Sequence, residues 1–267
     1  YNLAPDTAKV KDREGLVMSV ALISCTTVDD FEDILRTFKK PMGIQANFGV
    51  MDAEGNLAYF EANDHTYTRF DVGDTEEGFL IRTNYSESGA KNGGYGYIRE
   101  MNLRHVLSEE MAARKLRPEH FTEKASRSFF NVLLNKDFAT SDDEWVVDQD
   151  FIPRGISTAS IVIEGVNPGQ SPDEMIMWTV LGYPPCSFMV PVSLNVLPEN
   201  LRPTLEGYRS PFNNEILEIK KQVFPLTVGN GKHYINMKAL RPIMEVCRKK
   251  SYENYLKVYK ARINHDG

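Results

Sequence analysis

Cysteine is scarce in this sequence, and its three occurrences form no recognisable motif. Cys25, Cys186 and Cys247 are widely spaced, with no Cys-x-x-Cys pair and no histidine at ligand spacing. A disulfide framework and a structural zinc site are therefore not expected. The five histidines never fall four positions apart on one helix, so no metal site is predicted.

Long apolar runs are also missing. The longest, residues 15–25, is shorter than the roughly 20 residues that a helix needs to span a bilayer. The opening segment is polar and lacks the basic and apolar regions of a signal peptide. We therefore expect no membrane insertion. Because the sequence opens on Tyr1 rather than on Met, we also expect the gene product to contain residues before it.

The sequence has no strong charge of either sign and no cofactor-binding loop. A formal net charge of −6, without a long basic run, argues against nucleic acid as the main partner. Gly94 and Gly96 are followed by Arg99 where a dinucleotide-binding loop needs a third glycine. The stretch 228–232 lacks the rest of a phosphate loop. No cofactor is therefore predicted.

What is present is the composition and patterning of a globular α+β protein. Hydrophobic residues make up 42% of the 267 positions and charged residues 25%, which allows a sizeable core. Residues 47–62 read as a β-hairpin around a turn at 53–56. Thr27 and Asp30 have the spacing of a helix capping box. Helices are predicted at 14–22, 28–39, 99–115, 122–134, 213–223 and 237–263, and further strands at 79–83, 156–164, 176–181 and 188–192.

Hairpins without regular βαβ alternation indicate antiparallel sheets covered by helices. No linker or internal repeat marks a boundary, so we predict one domain over residues 1–267.

None of the cysteines is predicted to be a nucleophile. Cys25 precedes a capped helix, where a dipole could lower its pKa, but it ends an apolar segment and is better explained by packing. Cys186 follows two prolines in a turn, and Cys247 lies in a charged helix. No sequence-visible base accompanies any of the three.

Two polar residues are candidates for a site. Asn84 follows the apolar run 79–81, where it could either turn the chain or point an amide donor into a cleft. Arg127 lies just before an apolar stretch. Arg127 could be part of a site or a solvated surface arginine. The residues alone decide neither the role of Asn84 nor that of Arg127.

Several ordered stretches together resemble a known superfamily. They are "LISCTTVDDFEDIL", "ANFGVMDAEGNLAYFE", "LIRTNYS", "FTEKASRSFF" and "MWTVLGYPPCSFMVPV". Their order and motifs, including the Thr-Asn and Ser-Arg pairs, resemble the N-terminal-nucleophile (Ntn) linear amide hydrolases of the choloylglycine hydrolase and isopenicillin-N acyltransferase type. The resemblance covers about residues 14–192.

The resemblance implies a four-layer αββα sandwich and an N-terminal Cys that attacks a linear, non-peptide amide of a small-molecule substrate. The chain's own α-amino group, with an ordinary pKa of about 8, would serve as base. By the same resemblance Asn84 would donate to the oxyanion, and Arg127 would lie near the nucleophile. Water or an amine could resolve the acyl-enzyme, so a hydrolase and an acyltransferase are both open.

The nucleophile-bearing segment of that superfamily does not appear in these 267 residues. Either it precedes Tyr1, or the protein is a non-catalytic binding or structural relative. Signal cleavage is one route to a free N-terminal Cys, which favours a periplasmic or other extracytoplasmic location. Self-cleavage or removal of Met inside the cell is the alternative, so the location is left open. A homo-oligomer is compatible with the sequence.

Overall fold

The computed structural model describes residues 1–4, 7–91, 93–167, 169–204, 209–229 and 231–265. The chain divides into two compact units, residues 1–100 and 101–267. A single domain over the whole chain stays a prediction.

Helices and short antiparallel strands alternate irregularly along the chain. The α-helices are α1 (Glu14–Ser24), α2 (Val28–Thr37), α3 (Tyr97–Val106), α4 (Ser108–Ala112), α5 (Pro211–Val223) and α6 (Met237–His265). The strands are β1 (Ala46–Met51), β2 (Leu57–Ala62), β3 (Tyr67–Asp71), β4 (Phe130–Asn131), β5 (Lys136–Asp137), β6 (Trp145–Val147), β7 (Ala159–Glu164), β8 (Ile176–Leu181), β9 (Val190–Ser193) and β10 (Tyr234–Asn236).

The predicted hairpin forms the sheet of the first unit. β1 and β2 pair antiparallel, with Asn47 opposite Glu61, and β3 adds a strand that the sequence did not predict. The fully buried Phe60 contacts Phe31 of α2 at a ring-centroid distance of 5.1 Å in an edge-on arrangement, one that aromatic pairs favour. Helix α2 thereby covers the apolar face of the sheet. The polar residues Asn47 and Glu61 contact the loop that contains Asn84.

The predicted capping box of α2 is confirmed. The Thr27 hydroxyl accepts from the Asp30 backbone N–H at 3.1 Å, and the Asp30 carboxylate accepts from the Thr27 N–H at 2.9 Å. The same carboxylate accepts from the backbone N–H and the hydroxyl of Thr26. These bonds, those from Thr26 first, lower the pKa of Asp30 to about 2.

This cap should make stability depend on pH in acid. Because the folded-state pKa of Asp30 is depressed, its contribution is present above about pH 4 and is lost as the pH falls toward about 2. Asp30→Asn should therefore lower the melting temperature at neutral pH, by a margin that shrinks through this window. Thermal unfolding of both proteins across the pH range checks this. A margin that is unchanged in acid would contradict the role of the carboxylate charge.

The predicted strand at 79–83 is wrong. These residues pair with no strand in the described part of the chain. Instead, Asn47 donates to the carbonyl of Thr83 and Arg82 pairs with Glu61, so this segment is held against the hairpin by side chains. The segment therefore lies beside the hairpin without joining its ladder.

The second unit has its own three-stranded sheet and two small two-stranded ones. β8 lies between β7 and β9, and both neighbours are antiparallel to it. On one face, the fully buried Trp178 packs on Tyr255 of α6 and donates from Nε1 to Glu164 at 2.7 Å. The other face contributes to a larger core with Phe129, Tyr183 and residues of α5 and α6.

The predicted helix at 122–134 is wrong beyond Arg127. A π-helical turn at His120–Lys124 is followed by a 3-10 turn at Ala125–Arg127 and then by the β4–β5 hairpin. The Asn131 side chain accepts from the N–H groups of Leu133 and Leu134 and so turns the chain. The predicted helix at 99–115 is likewise divided at Leu107 into α3 and α4.

The α+β class with several small antiparallel sheets is therefore confirmed. The four-layer arrangement is a finer expectation and stays a prediction.

Candidate active site around Asn84

Asn84 lies half-buried on a loop whose backbone is clamped on both sides of it. Nδ2 of Asn47, from β1, donates to the carbonyl of Thr83 at 3.0 Å and to that of Tyr85 at 2.9 Å. The Thr83 hydroxyl accepts from the Tyr85 N–H at 3.1 Å. The position of the Asn84 Cα is therefore fixed by its two neighbours.

A buried carboxylate holds the same loop from the hairpin side. The side chain of Glu61, which is 0% exposed, accepts from Arg82 Nε at 2.5 Å. It also accepts from the backbone N–H groups of Glu87 and Ser88 at 2.9 and 2.7 Å. A buried charge is costly unless it is paired and hydrogen-bonded, and here both conditions are met. The residues before and after Asn84 are thereby tied to β2.

Asn2 completes the support of the loop. Its Oδ1 accepts from the Ser86 N–H at 2.7 Å, while its Nδ2 donates to the carbonyls of Ser86 and Ala90 at 2.8 and 3.1 Å. Gly89 permits this approach, because a Cβ at that position would lie 2.5 Å from Asn2 Nδ2 and 2.7 Å from the Asn2 carbonyl. Hydrogen bonds from Asn47, Glu61 and Asn2 thus hold the loop in place on both sides of Asn84.

The side chain of Asn84 has one end bound and one end unbound. Its Oδ1 accepts from Nη2 of Arg99 at 2.6 Å. Within the described ranges, its Nδ2 group has no acceptor and its Oδ1 forms no Asx-turn, since the local turn is made by Thr83. The NH2 group is therefore the end of the side chain that remains able to donate, and its catalytic use stays a prediction.

Arg127 is fully buried, so the alternative of a solvated surface arginine is wrong. Nη1 donates to Glu123 at 2.6 Å, and Nη2 donates to the carbonyl of Ser187 at 2.7 Å and to the Ser251 hydroxyl at 3.3 Å. Nε is buried without a partner among the described residues. The guanidinium is therefore paired with the carboxylate of Glu123.

The environment of this pair shifts the pKa values of both groups. Burial raises the pKa of Glu123, and the charge of Arg127 acts in the opposite direction. Burial lowers the pKa of Arg127, with Glu123 opposing, but a guanidinium stays protonated in proteins. The second unit therefore contains a buried cation that one carboxylate balances.

Asn84 belongs to the first unit and Arg127 to the second. Their convergence on one cleft stays a prediction.

The three cysteines have the properties of packing residues. Burial raises the pKa of each, to about 12 for Cys186. Cys186 and Cys247 are buried, and Cys25 is half-buried. A thiol with a raised pKa is a poor nucleophile at neutral pH, because the thiolate is the reactive form.

Replacing Cys25, Cys186 and Cys247 by Ala, one at a time, should therefore leave turnover of any substrate largely intact. Melting temperatures of the three variants separate a folding defect from a chemical one. A single replacement that abolished turnover in a folded protein would refute the assignment.

The described part of the chain holds neither a metal-binding cluster nor a membrane-spanning helix. No group of three or more His, Cys, Asp or Glu side chains that could hold a metal ion occurs in the described residues. Among the helices of the same part of the chain, none is long and apolar enough to cross a membrane.

Comparison with known proteins supports one branch of the resemblance. Residues 13–143 match the family model described as AAT, acyl-coenzyme A:6-aminopenicillanic acid acyl-transferase. The match covers just under half of the chain, and Asn84, Arg99 and Arg127 all lie inside it. No curated protein and no solved structure matches.

This match indicates an acyltransferase or hydrolase of the Ntn type. The chain is similar over that range to an acyltransferase family, and the substrate is not given by the similarity.

Proposed function

We propose that the protein cleaves a linear, non-peptide amide C–N bond and passes the acyl group to water or to an amine. The observation that carries the proposal is the Nδ2 group of Asn84, unbonded within the described residues on a loop that Asn47, Glu61 and Asn2 hold rigid. A preorganised donor of this kind suits a developing oxyanion. The family match over residues 13–143 supports acyl chemistry independently.

The nucleophile is proposed to be an N-terminal Cys encoded before Tyr1. Its thiol would transfer a proton to the chain's own α-amino group as sulfur attacks the amide carbonyl. The tetrahedral oxyanion would accept from Asn84 Nδ2, and the C–N bond would break as the leaving amine takes that proton from the α-ammonium group, which leaves a thioester on the Cys. Water or an acceptor amine would then release the acyl group from the thioester. The raised pKa values make the three described cysteines poor nucleophiles, so the proposal places the nucleophile elsewhere.

Arg127 is proposed to act as a fixed positive charge near the reacting groups. A nearby cation favours a thiolate over a thiol. The ion pair with Glu123 and the bond to the Ser187 carbonyl support a cation of fixed position.

Three further elements belong to the same proposal. The units would form one αββα sandwich of four layers, the substrate would be a small molecule, and the mature protein would act outside the cytoplasm, where signal cleavage frees the nucleophile.

A non-catalytic relative that binds acyl compounds is the second candidate. The raised pKa values of all three cysteines favour it, because the described residues then contain a donor but no nucleophile. Asn84 would in that case bind a ground-state carbonyl.

The experiment incubates the full-length protein with a panel of linear N-acyl amides and acyl-coenzyme A thioesters, with and without 6-aminopenicillanic acid as acceptor amine. Intact mass spectrometry should show one acyl group on the N-terminal peptide, removable by hydroxylamine, and chromatography should show acyl product. Binding of the thioester without any acyl-enzyme or product would favour the second candidate.

A further inference from the structure

Arg99 binds the acceptor oxygen of the Asn84 side chain and leaves its donor end, the NH2 group, unbonded among the described residues. Nη2 of Arg99 lies 2.6 Å from Asn84 Oδ1, the distance of a charge-assisted hydrogen bond. We propose that Arg99 is a positioning residue: it fixes the side-chain amide of Asn84 so that only the NH2 group faces a ligand. The inference rests on the proposed function and adds a determinant to the same site.

The hydrogen-bonding chemistry of the Asn84 amide and the Arg99 guanidinium favours one orientation of the amide. An asparagine amide has an acceptor end and a donor end, while a guanidinium has donors only. A flipped Asn84 would place its NH2 group against the Arg99 donors and lose the hydrogen bond. The flipped state would also turn an acceptor oxygen toward the ligand, where it would repel a carbonyl or an oxyanion.

The backbone before Arg99 is shaped to allow this contact. Gly96 has φ +104, and a Cβ there would lie 2.5 Å from Thr83 Oγ1 and 3.0 Å from both Arg99 Nη2 and the Asn84 backbone N. Only glycine adopts such a φ without strain. Helix α3 begins directly after this glycine, so Arg99 lies in its first turn. From there its guanidinium contacts the Asn84 side chain.

The contact also defines the ligand class. Because Arg99 binds the oxygen of the Asn84 amide and places a positive charge beside it, the group directed at a ligand is the donating NH2. The site therefore suits a carbonyl oxygen or an oxyanion, and the adjacent cation disfavours an ammonium group at this position.

Side-chain NMR of the 267-residue chain tests the positioning without any substrate. With ¹⁵N-labelled asparagine, the NH2 signals of Asn84 are identified by their loss in Asn84→Ala. They should show a rigid group in the wild type and in Arg99→Lys, which keeps a cationic donor, and a mobile group in Arg99→Met. Lys91→Met is the matched control, since it removes an exposed positive charge and should change nothing. Unchanged rigidity in Arg99→Met would overturn the proposal.

Kinetics of the full-length protein with the acyl-coenzyme A panel give the second readout. Arg99→Met should lower kcat about tenfold or more with little change in KM, because the bond matters most when the oxyanion forms, and Arg99→Lys should recover part of the loss. Wild-type kcat in Arg99→Met would overturn the positioning role. If the wild type transfers no acyl group, the proposed function fails, and the NMR result still decides what Arg99 does.

Gly96→Ala keeps the test decisive if Arg99→Met does not fold. The added methyl group should displace Arg99 and Asn84 with the guanidinium still present, and should mobilise the same NH2 signals. Melting temperatures identify which variants are folded, and a folded Gly96→Ala with a rigid Asn84 amide contradicts the proposal.

Discussion

Replacing Asn84 by Ala in the full-length protein is expected to lower kcat by about 10²–10³-fold, the usual cost of removing one oxyanion donor. KM should change little, because the donor acts mainly when charge develops on the oxygen. The fold should survive, since the loop is held by Asn47, Glu61 and Asn2 rather than by Asn84 itself.

Steady-state kinetics with the best thioester of the panel measure the effect, and Asn56→Ala is the matched control. Asn56 is an exposed asparagine in the β1–β2 turn, where its Nδ2 donates to Asp52 at 2.9 Å. The Asn56→Ala variant should therefore keep most of the wild-type kcat. Equal kcat values for Asn84→Ala and the wild type would remove Asn84 from the chemistry.

Replacing Arg127 by Met is expected to destabilise the protein by about 3–5 kcal/mol, because it leaves the Glu123 carboxylate largely buried without its cation. The change also removes the donor to the Ser187 carbonyl, which holds the turn at Pro184–Cys186 against the rest of the second unit. Urea unfolding of the variant and the wild type measures the free-energy difference.

Two variants control this result. Arg36→Met removes an exposed ion pair with Asp33 and should cost less than about 1 kcal/mol. Arg127→Met combined with Glu123→Gln should be more stable than Arg127→Met alone, since no unpaired charge remains. A loss below about 1 kcal/mol for Arg127→Met would mean that the buried pair does not hold this region together.

The elements predicted well from the sequence are those with local signals. The capping box of α2, the turn between β1 and β2, and the starts of α5 and α6 depend on residues a few positions apart. One of the failures has a long-range cause. Residues 79–83 look like a strand, but their contacts come from side chains such as Asn47, 36 positions from Thr83.

The two candidate residues, Asn84 and Arg127, were predictable from the sequence, but the residues that support Asn84 were not. Asn84 is indicated by its place after an apolar run and by the Thr-Asn motif. Arg99, Asn47 and Asn2 carry no pattern of their own, and Asn2 bonds to Ser86 from 84 positions away. Glu61 did have a signal, because it ends the hairpin motif, but its role in holding the loop becomes visible only when Arg82 and the Ser88 N–H meet its carboxylate.

The central claim is that Asn84 binds the transition state more strongly than the ground state. The most direct measurement is the inhibition constant of an aldehyde that matches the preferred acyl group, in the wild type and in Asn84→Ala. The thiol of the proposed Cys adds to the aldehyde carbonyl. The resulting hemithioacetal has a tetrahedral carbon whose oxygen resembles that of the intermediate. The account predicts that Asn84→Ala weakens the aldehyde by about 10²-fold or more, while the KM of the amide substrate with the same acyl group rises only slightly. Equal weakening of both compounds, or of neither, would contradict it.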